Sequence, residues 1–207
     1  MKFLKLLSAL VVVLLLSACA GQTTFKPSQK NANYNKPLNS EILVVFEISH
    51  LRKAFVEASY PQNSPIPDLA ATAVLRNISS ELAKLKVNVA SEVIDTAIDK
   101  SSFAKAIVKN KNKQQILLLT ANSFQTSQTT RAGIAVSVPV WNGKVGWNLQ
   151  LFDVDKTANP DGKAVWTATT DLVQFAPAMC NVDQYQTCAE RFVSAIVSQL
   201  KNDGLIK

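Results

Sequence analysis

The side chains with the most distinctive chemistry in this 207-residue chain are three cysteines and a single histidine. They are Cys19, Cys180, Cys188 and His50. A thiol can carry a covalent group, form a disulfide, ligate zinc or act as a nucleophile. A structural zinc site takes about four Cys or His ligands, and two thiols with no histidine beside them make a poor one. We therefore predict no metal ligands and no cofactor-binding residues.

Catalysis by His50 would need a nucleophile within hydrogen-bond reach of its imidazole ring. The Gly-x-Ser-x-Gly pattern that presents a serine on a sharp turn does not occur in the chain. Chemistry by a Ser–Lys pair or by paired carboxylates stays open, although no pattern points to it. We accordingly expect no catalytic residue and no enzymatic activity.

A polar segment at residues 153–164, "DVDKTANPDGKA", has oxygen-bearing side chains at alternate positions, as in a calcium-binding loop. Its sixth position is Ala158 and its twelfth is Ala164. The glycine turn and the bidentate glutamate of such a loop are therefore missing. The segment instead predicts a hairpin connection that turns at Asn-Pro-Asp-Gly.

Lysines are concentrated in one part of the chain. A solvated helix face and loop is the ordinary interpretation, and contact with anionic envelope polymers or lipid phosphates is the functional one. Only Phe103 interleaves with these lysines, and the formal net charge is +7 without a dense basic patch, so we expect no nucleic-acid partner. The cluster contains Lys100, Lys105, Lys109, Lys111 and Lys113, and the last four form the possible partner surface.

The N-terminus has the layout of a secretory signal. Lys2 and Lys5 precede an apolar run, 6–16, that is shorter than the roughly 20 residues of a membrane-spanning helix. The next residues, Leu16-Ser17-Ala18-Cys19, resemble a bacterial lipobox. That resemblance implies cleavage before Cys19, lipidation of Cys19 and a signal peptide at 1–18. Ala20 stands where an inner-membrane retention signal has aspartate, which by resemblance implies the outer membrane, with the domain facing the periplasm.

If lipid occupies Cys19, one pair of cysteines remains. The oxidising periplasm favours a disulfide between Cys180 and Cys188, and the alternatives are two free thiols or a metal pair. Residues 19–40 begin with the expected lipidated cysteine and otherwise hold few apolar side chains. We therefore expect this segment to be a flexible tether. Such a tether would place a single periplasmic domain, 41–207, on the order of 25 Å from its anchor.

Hydrophobic patterning within the domain predicts an α+β fold. Residues 42–49 and 115–124 are apolar strands, 86–90 and 163–173 are further strands, and 101–109 is a short helix. Residues 50–67 are ambiguous between helix and loop. Ala71, Leu75, Ile78, Leu82 and Leu85 form one face of a helix that has Pro67 in its first turn.

Near the C-terminus, a helix from about Asp183 would stop at Gly204, and its predicted buried face is Cys188, Phe192, Ala195, Ile196 and Leu200. The element order predicts a mixed, largely antiparallel sheet with helices packed mainly on one face.

Residues 133–155 predict a hairpin. Asn142-Gly143 favours a type I′ turn, and Pro139 places the first arm at an edge or bulge. Three tryptophans fall on these strands: Trp141, Trp147 and Trp166. We expect core or half-buried positions for them, with an exposed aromatic patch as the alternative.

Residues 151–169 resemble an element of several small periplasmic lipoproteins, which include transport-accessory, LpoB-like and uncharacterised families. The matching residues are Leu151, Phe152, Asp153, Gly162, Lys163, Val165 and Trp166. The resemblance implies a compact domain that works by binding.

We therefore expect a non-enzymatic accessory or adaptor lipoprotein whose domain binds an envelope protein complex. The alternative is a carrier of lipid or a small apolar ligand. A deep apolar pocket between sheet and helices would favour the carrier, and a filled core would count against it.

Overall fold

The structure, a computed structural model, describes residues 23–38, 41–57, 64–132, 137–155, 162–170, 173–174 and 185–206. Within 126–144 only the backbone of the strands is described. In chain order the elements are β1 (Gln29–Lys30), β2 (Glu41–Glu47), α1 (Ser49–Glu57), α2 (Ile66–Lys84), β3 (Asn88–Ile94), α3 (Ser102–Lys109), β4 (Gln115–Ala132), β5 (Ser137–Asp153), β6 (Trp166–Thr169), β7 (Val173–Gln174) and α4 (Tyr185–Asn202).

These strands form one mixed sheet in the order β1-β6-β5-β4-β2-β3, and β7 pairs with β5. Strand β2 is parallel to both β3 and β4, and the other pairs are antiparallel. A parallel pair requires a crossover connection, which α1 and α2 supply between β2 and β3, and α3 supplies between β3 and β4. The predicted α+β class with a mixed sheet is confirmed.

The helices lie mainly on one face of the sheet. Side chains of α1, α2 and α4 join the larger core, whereas α3 packs on the opposite face with a second, smaller core. Strand β2 is buried on both faces, which explains its unbroken apolar run over 42–46. The smaller core consists of Leu43, Val45, Ile94, Ala106 and Ile116.

Helix α2 follows the predicted spacing. Its first turn contains Pro67, and Ala71, Ile78 and Leu82 are fully buried against the sheet and α4. The segment left ambiguous before it contains α1. After α2 the chain reverses through Lys86, which has a positive φ of 61°.

The core between the sheet and helices α2 and α4 is filled by large aromatic side chains. The Phe46 and Trp147 rings meet edge to face with centroids 5.3 Å apart, and Trp147 lies 5.1 Å from Phe192. Trp166 is also fully buried, and its Nε1 donates to Asp203 Oδ2 at 2.7 Å. The core interpretation is therefore confirmed for Trp147 and Trp166, whereas the Trp141 side chain lies outside the described part.

Helix α4 ends as its sequence predicts. Gly204 has a φ of +68°, its N–H donates to the Lys201 carbonyl at 2.9 Å, and Leu205 folds back to full burial. The predicted cap, Asp183, lies outside the described residues.

The predicted turn at Asn142-Gly143 is wrong. In the structure these residues lie within β5, where Asn142 pairs with Ser127 and Gly143 pairs with Thr126. Strand β4 extends to Ala132, beyond the predicted end at residue 124, so its polar Thr- and Ser-rich part supplies the partner for 137–144. A continuous backbone ladder thus overrides a local turn preference. By contrast, β5 and β6 pair antiparallel, which confirms the predicted hairpin across 153–164, while the Asn-Pro-Asp part of its predicted turn lies outside the described residues.

The flexible tether predicted for residues 19–40 differs from the structure over most of its length. Residues 25–38, here called the N-terminal strap, lie against the domain: Phe25 bridges Thr170, and β1 pairs with β6. Tyr34 and Leu38 are buried. Composition indicated disorder because such apolar side chains are few, but the sheet edge supplies backbone partners that composition does not register. Residues 19–22 and 39–40 lie outside the described residues.

Candidate functional site

The cysteines of the predicted lipid and disulfide sites are only partly within the described structure. Cys19 and Cys180 lie outside it. Cys188 is half-buried in the first turn of α4, next to the fully buried Ala189. Lipidation of Cys19 and the Cys180–Cys188 disulfide therefore stay predictions.

The predicted lysine surface lies on and after α3, and carboxylates accompany most of it. Lys105 Nζ donates to Asp99 Oδ2 at 2.7 Å, and Lys109 Nζ lies 2.6 Å from Glu92 Oε1. The bond from Lys105, with further bonds from Ser101, lowers the pKa of Asp99 to about 2. Both lysine side chains are nevertheless 71% exposed.

Lys113 is a correction to the predicted partner surface, because it is 8% exposed. Its ammonium group forms an ion pair with Glu41 at the start of β2, and this bond lowers the pKa of Glu41. A cation in this position holds the beginnings of β2 and β4 together and offers little charge to a partner. Lys111 remains exposed.

A groove lies between α3 and the sheet face that carries the smaller core. Its volume is about 330 Å³, and most of the surface that it exposes is apolar. The lining residues are Leu43, Ile107, Val108, Asn110, Lys111, Lys113, Ile116 and Val154.

Several aliphatic side chains at and near this groove face solvent. Val108 is 72% exposed, Val154 is 45% exposed, and Ile98, in the loop before α3, is 78% exposed. Helix α3 is eight residues long, so it covers only part of this face of the sheet. Leu118 and Phe152 pack against the smaller core but stay half-buried. The result is an apolar surface with the exposed Lys111 at its rim.

A cluster of polar side chains lies at the carboxyl ends of the parallel strands β2 and β3. Its centre is Glu47, the last residue of β2, which is 4% exposed. Oε1 of Glu47 accepts hydrogen bonds from Ser49 N at 3.0 Å, Thr96 N at 3.3 Å and Thr96 Oγ1 at 2.9 Å, and also from Ser49 Oγ. Oε2 of Glu47 lies 2.9 Å from His50 Nδ1.

This arrangement satisfies a buried carboxylate. Burial alone would raise the pKa of Glu47, but the hydrogen bonds from Ser49, His50 and Thr96 outweigh it and hold the pKa at about 2. A carboxyl group with that pKa is ionised near neutral pH, so it is unsuited to be a general acid there. In a Ser-His-acid triad the serine bonds to the imidazole. Here Ser49 donates to the carboxylate instead, which does not fit that mechanism.

An arginine joins the neighbouring elements beside this cluster. Arg52 on α1 donates from Nη1 to Asp95 Oδ2 at 2.8 Å and from Nη2 to Asp68 Oδ1 at 2.6 Å. It thus links the end of β3 to the start of α2. Together with Glu47, this bridge holds the carboxyl end of the parallel strands in place.

Sequence reasoning identified the α3 lysines but missed both the groove and the Glu47 cluster. A signal for the cluster was present, because Glu47 is a charged residue that ends an apolar strand and is followed closely by Ser49 and His50. Parallel strands of open sheets gather polar residues at their carboxyl ends. The groove had no sequence signal, since it depends on how little of the sheet α3 covers.

Metal-binding and membrane-spanning features are both missing from the described ranges. No three His, Cys, Asp or Glu side chains come together there as a metal site would require. None of the helices in those ranges has the length and hydropathy to cross a bilayer.

Comparisons with known proteins return distant likenesses. No family model matches the chain, and no curated protein matches it. Among solved structures, the chain is similar to a PelC dodecamer from Paraburkholderia phytofirmans, with 13% identity, a TM-score of 0.43, and coverage of 86% of this chain and 97% of that chain. It is also similar to a neuraminyllactose-binding hemagglutinin homologue from Helicobacter pylori, with 9% identity, a TM-score of 0.35, and coverage of 84% and 91%. Likenesses at these values carry no conclusion about what the chain does.

Proposed function

We propose that this chain is a non-enzymatic lipoprotein, anchored in the outer membrane through Cys19, whose periplasmic domain binds an envelope protein. The observation that carries the proposal is the exposed aliphatic groove beside α3, with the exposed Lys111 at its rim. The lipid would confine the domain to a membrane surface and so raise its effective concentration near a partner on the same membrane. The role is that of an accessory or adaptor protein.

The groove has the features of a docking surface. Val108 and Val154 are exposed on its walls, while Leu43 and Ile116 form its buried floor. An inserted aliphatic side chain would remove both the walls and itself from water, at about 25 cal/mol per Å² of apolar surface buried. Contiguous exposed apolar surface of this kind marks interaction sites more often than isolated apolar residues do.

Charge at the rim indicates the chemistry of the partner. Lys111 is exposed in the groove lining, and Lys105 and Lys109, elsewhere on α3, form ion pairs that are exposed enough to contribute little stability. A partner with acidic residues around an aliphatic anchor would complement this rim. Its association rate should fall as salt rises, since exposed charges are screened.

The chemistry of the Glu47 cluster supports a binding role over catalysis. Glu47 accepts hydrogen bonds from three neighbouring residues, and those bonds hold two strands and α1 together. An active site needs polar groups that converge on a space where substrate can sit. The groove is instead lined by aliphatic residues, with polar side chains only at Asn110, Lys111 and Lys113.

A lipid or small-ligand carrier is the second candidate, and the same groove favours it. The space between the sheet and helices α2 and α4 is filled by Phe46, Trp147 and Phe192, so a carrier site there has no room. The groove lies on the other face, and its volume of about 330 Å³ is at the low end for a small-molecule pocket. Docking is preferred because the groove walls are exposed, whereas a ligand site buries most of its ligand.

The test is site-specific photocrosslinking in intact cells. A photoreactive amino acid replaces Val108 on the groove, and a matched control replaces Ser80, an exposed residue on α2 at the other face. We expect a discrete protein adduct from position 108 that is absent from position 80 and is lost in a Val154→Asp background. Equal adducts at both positions, or none at either, would contradict docking. Adducts to lipid alone would favour the carrier.

Anchoring is tested separately. Cys19→Ala removes the atom that would carry the lipid, so we expect the protein to move from the membrane to the soluble fraction. Ser17→Thr is the control, because it changes the neighbouring sequence and keeps the thiol. A Cys19→Ala protein that still fractionates with membranes would show that the lipid anchor is wrong.

A further inference from the structure

We propose that the bound N-terminal strap leaves only a short leash, residues 20–24, between the lipidated Cys19 and the domain, so that the β1–β6 edge is held near the membrane and the α3 groove faces the periplasm. This inference rests on the proposed lipidation of Cys19. It adds a distance and an orientation to that proposal, and both follow from where the strap is bound.

The first part of the strap is bound to the edge of the sheet by backbone hydrogen bonds. Lys26 N donates to the Thr169 carbonyl at 2.8 Å, and Asn31 N donates to the Val165 carbonyl at 2.9 Å. Between them, β1 pairs with β6. The strap therefore extends the sheet by one short strand and covers the edge that β6 would otherwise expose.

The second part of the strap crosses the end of the sheet and is held by a buried polar contact. Tyr34 is 3% exposed; its hydroxyl donates to Asp153 Oδ2 at 3.0 Å and accepts from Gln115 Nε2 at 2.6 Å. Gln115 also donates to the Pro37 carbonyl at 3.1 Å. Lifting the strap would break these hydrogen bonds, and a typical intramolecular hydrogen bond contributes a net of about 0.5–1.5 kcal/mol.

The strap is also joined to the C-terminus. Leu38 N donates to the Leu205 carbonyl at 2.7 Å, and Lys30 Nζ donates to the Asp203 carbonyl at 3.3 Å. Gln199 on α4 reaches Ser28 Oγ at 3.4 Å. The strap is thus bound at the sheet edge, at the sheet end and at α4, as a permanent part of the domain would be.

These contacts shorten the free chain between the lipid and the domain. An extended chain spans at most about 3.3–3.6 Å per residue. Phe25 follows Cys19 by about six residues, so the bound edge lies within about 20 Å of the lipidated residue. If the chain were first held at Glu41, the same limit would be about 75 Å. Docking of the strap therefore removes most of the reach that the tether would have had.

The position of the strap also sets the orientation. Strands β1 and β3 occupy opposite edges of the sheet, and neighbouring strands are about 4.8 Å apart, so the far edge lies roughly 24 Å beyond the leash. The strand-side lining of the α3 groove is Leu43 of β2, Ile116 of β4 and Val154 just after β5, which lie two to four strands from β1. A leash on β1 thus points the groove away from the bilayer, where a periplasmic part of a partner could reach it.

The strap itself is tested by hydrogen exchange on the full-length Cys19→Ala chain, which needs no lipid. We expect the amides of Lys26, Asn31 and Leu38 to be protected at least about 100-fold over an unstructured chain. Tyr34→Ser should lower that protection at least about tenfold and leave the amides of β2 unchanged. Asn35→Ser, at an exposed strap position, is the control and should change neither. Unprotected strap amides in the starting protein would overturn the proposal.

The leash is tested with the lipidated protein in liposomes. Energy transfer is measured from a fluorophore placed at position 100 by an unnatural amino acid to acceptor-labelled lipid headgroups. Inserting about 16 Gly and Ser residues between Gln22 and Thr23 lengthens the leash and leaves the strap intact, so transfer should fall to roughly half. Asn35→Ser, at an exposed strap position, should leave the transfer unchanged.

The outcomes separate the two proposals. Equal transfer with and without the insertion would overturn the leash, even with protein bound to the liposomes. A protein that carries no lipid and does not bind the liposomes would contradict the lipid anchor, on which the leash proposal rests.

Discussion

Removing the negative charge of Glu47 should make the unfolding free energy of the protein depend less on pH between pH 7 and pH 3. The change is Glu47→Gln, which keeps the shape of the side chain and one oxygen acceptor for Ser49 and Thr96. It removes the negative charge, and it turns an amide toward His50 in place of Oε2. Because the side chain is 4% exposed, the substituted group stays within the same buried cluster.

The magnitude follows from the pKa of Glu47, which falls from its ordinary 4.5 to about 2 in the folded protein. A carboxyl group whose pKa is lowered by folding stabilises the protein above its unfolded pKa and loses that contribution as pH falls. Lowering a pKa by one on folding corresponds to about 1.4 kcal/mol, so the full contribution of Glu47 is about 3 kcal/mol. Relative to pH 7, about 1 kcal/mol is lost at pH 4 and about 2 kcal/mol at pH 3.

The assay is urea unfolding of both proteins between pH 7 and pH 3. Other carboxyl groups titrate in both, so the quantity of interest is the difference in unfolding free energy at each pH. We expect the wild-type protein to be more stable at pH 7 and its advantage to shrink by about 2 kcal/mol at pH 3. Glu81→Gln, on the exposed side of α2, is the control and should change stability by less than about 0.5 kcal/mol. An advantage that stays constant with pH would refute the assigned role of Glu47.

Three further substitutions test the fold. Gly146→Ala should lower stability by less than about 1 kcal/mol in thermal unfolding, because the atoms a Cβ would meet, Ser123 Oγ and Asn122 Oδ1 at the irregularity in β4, end exposed side chains that can rotate away; a larger loss would mean that these two side chains are held in place. Lys86→Gly should stabilise the protein by up to about 1 kcal/mol and raise its melting temperature, because φ at this position is 61°; a fall would show that the lysine side chain matters more. Phe192→Ala should cost about 3–5 kcal/mol in urea unfolding, since the ring packs on Trp147; a loss below about 1 kcal/mol would contradict a filled core.

Patterns within short stretches of chain predicted several elements well. The apolar residues of α2 recur at helical spacing, and every residue of the resulting buried face comes from the same helix. The helix can therefore be predicted without knowing what covers that face. Gly204 ends α4 because a left-handed residue without a side chain is favoured there whatever the rest of the fold does. Strand β2 is apolar over 42–46 because both of its faces are covered. In each case the pattern lies within one segment, so the segment itself reveals the element.

Two predictions failed where a partner distant in sequence decided the outcome. Asn142-Gly143 has a strong local preference for a tight turn, but its partners in the structure are Ser127 and Thr126, on the preceding strand β4. The strap has few apolar residues, but β6 and Asp153, which come much later in the chain, provide its hydrogen bonds. Neither partner can be inferred from the composition of the segment.

The candidate site divides in the same manner. Residue types alone were enough to predict a lysine-rich helix. They could not show that Lys113 is buried in an ion pair with Glu41, a residue distant in sequence at the start of β2. The groove depends on the length of α3 relative to the sheet beneath it. Neither property belongs to the lysines themselves.

By itself, the sequence determined the α+β class, the main helices and strands, the stop at Gly204 and the expectation of a lipid at Cys19. Only the tertiary structure decided that the N-terminal segment is bound as a strap, that β4 and β5 pair through Asn142, that Glu47 is a buried, satisfied carboxylate, and that α3 leaves a groove open. The physical reason is that periodicity and turn chemistry act over a few residues. Edge pairing, burial of charge and coverage of a sheet face are set by segments that meet only after the chain has folded.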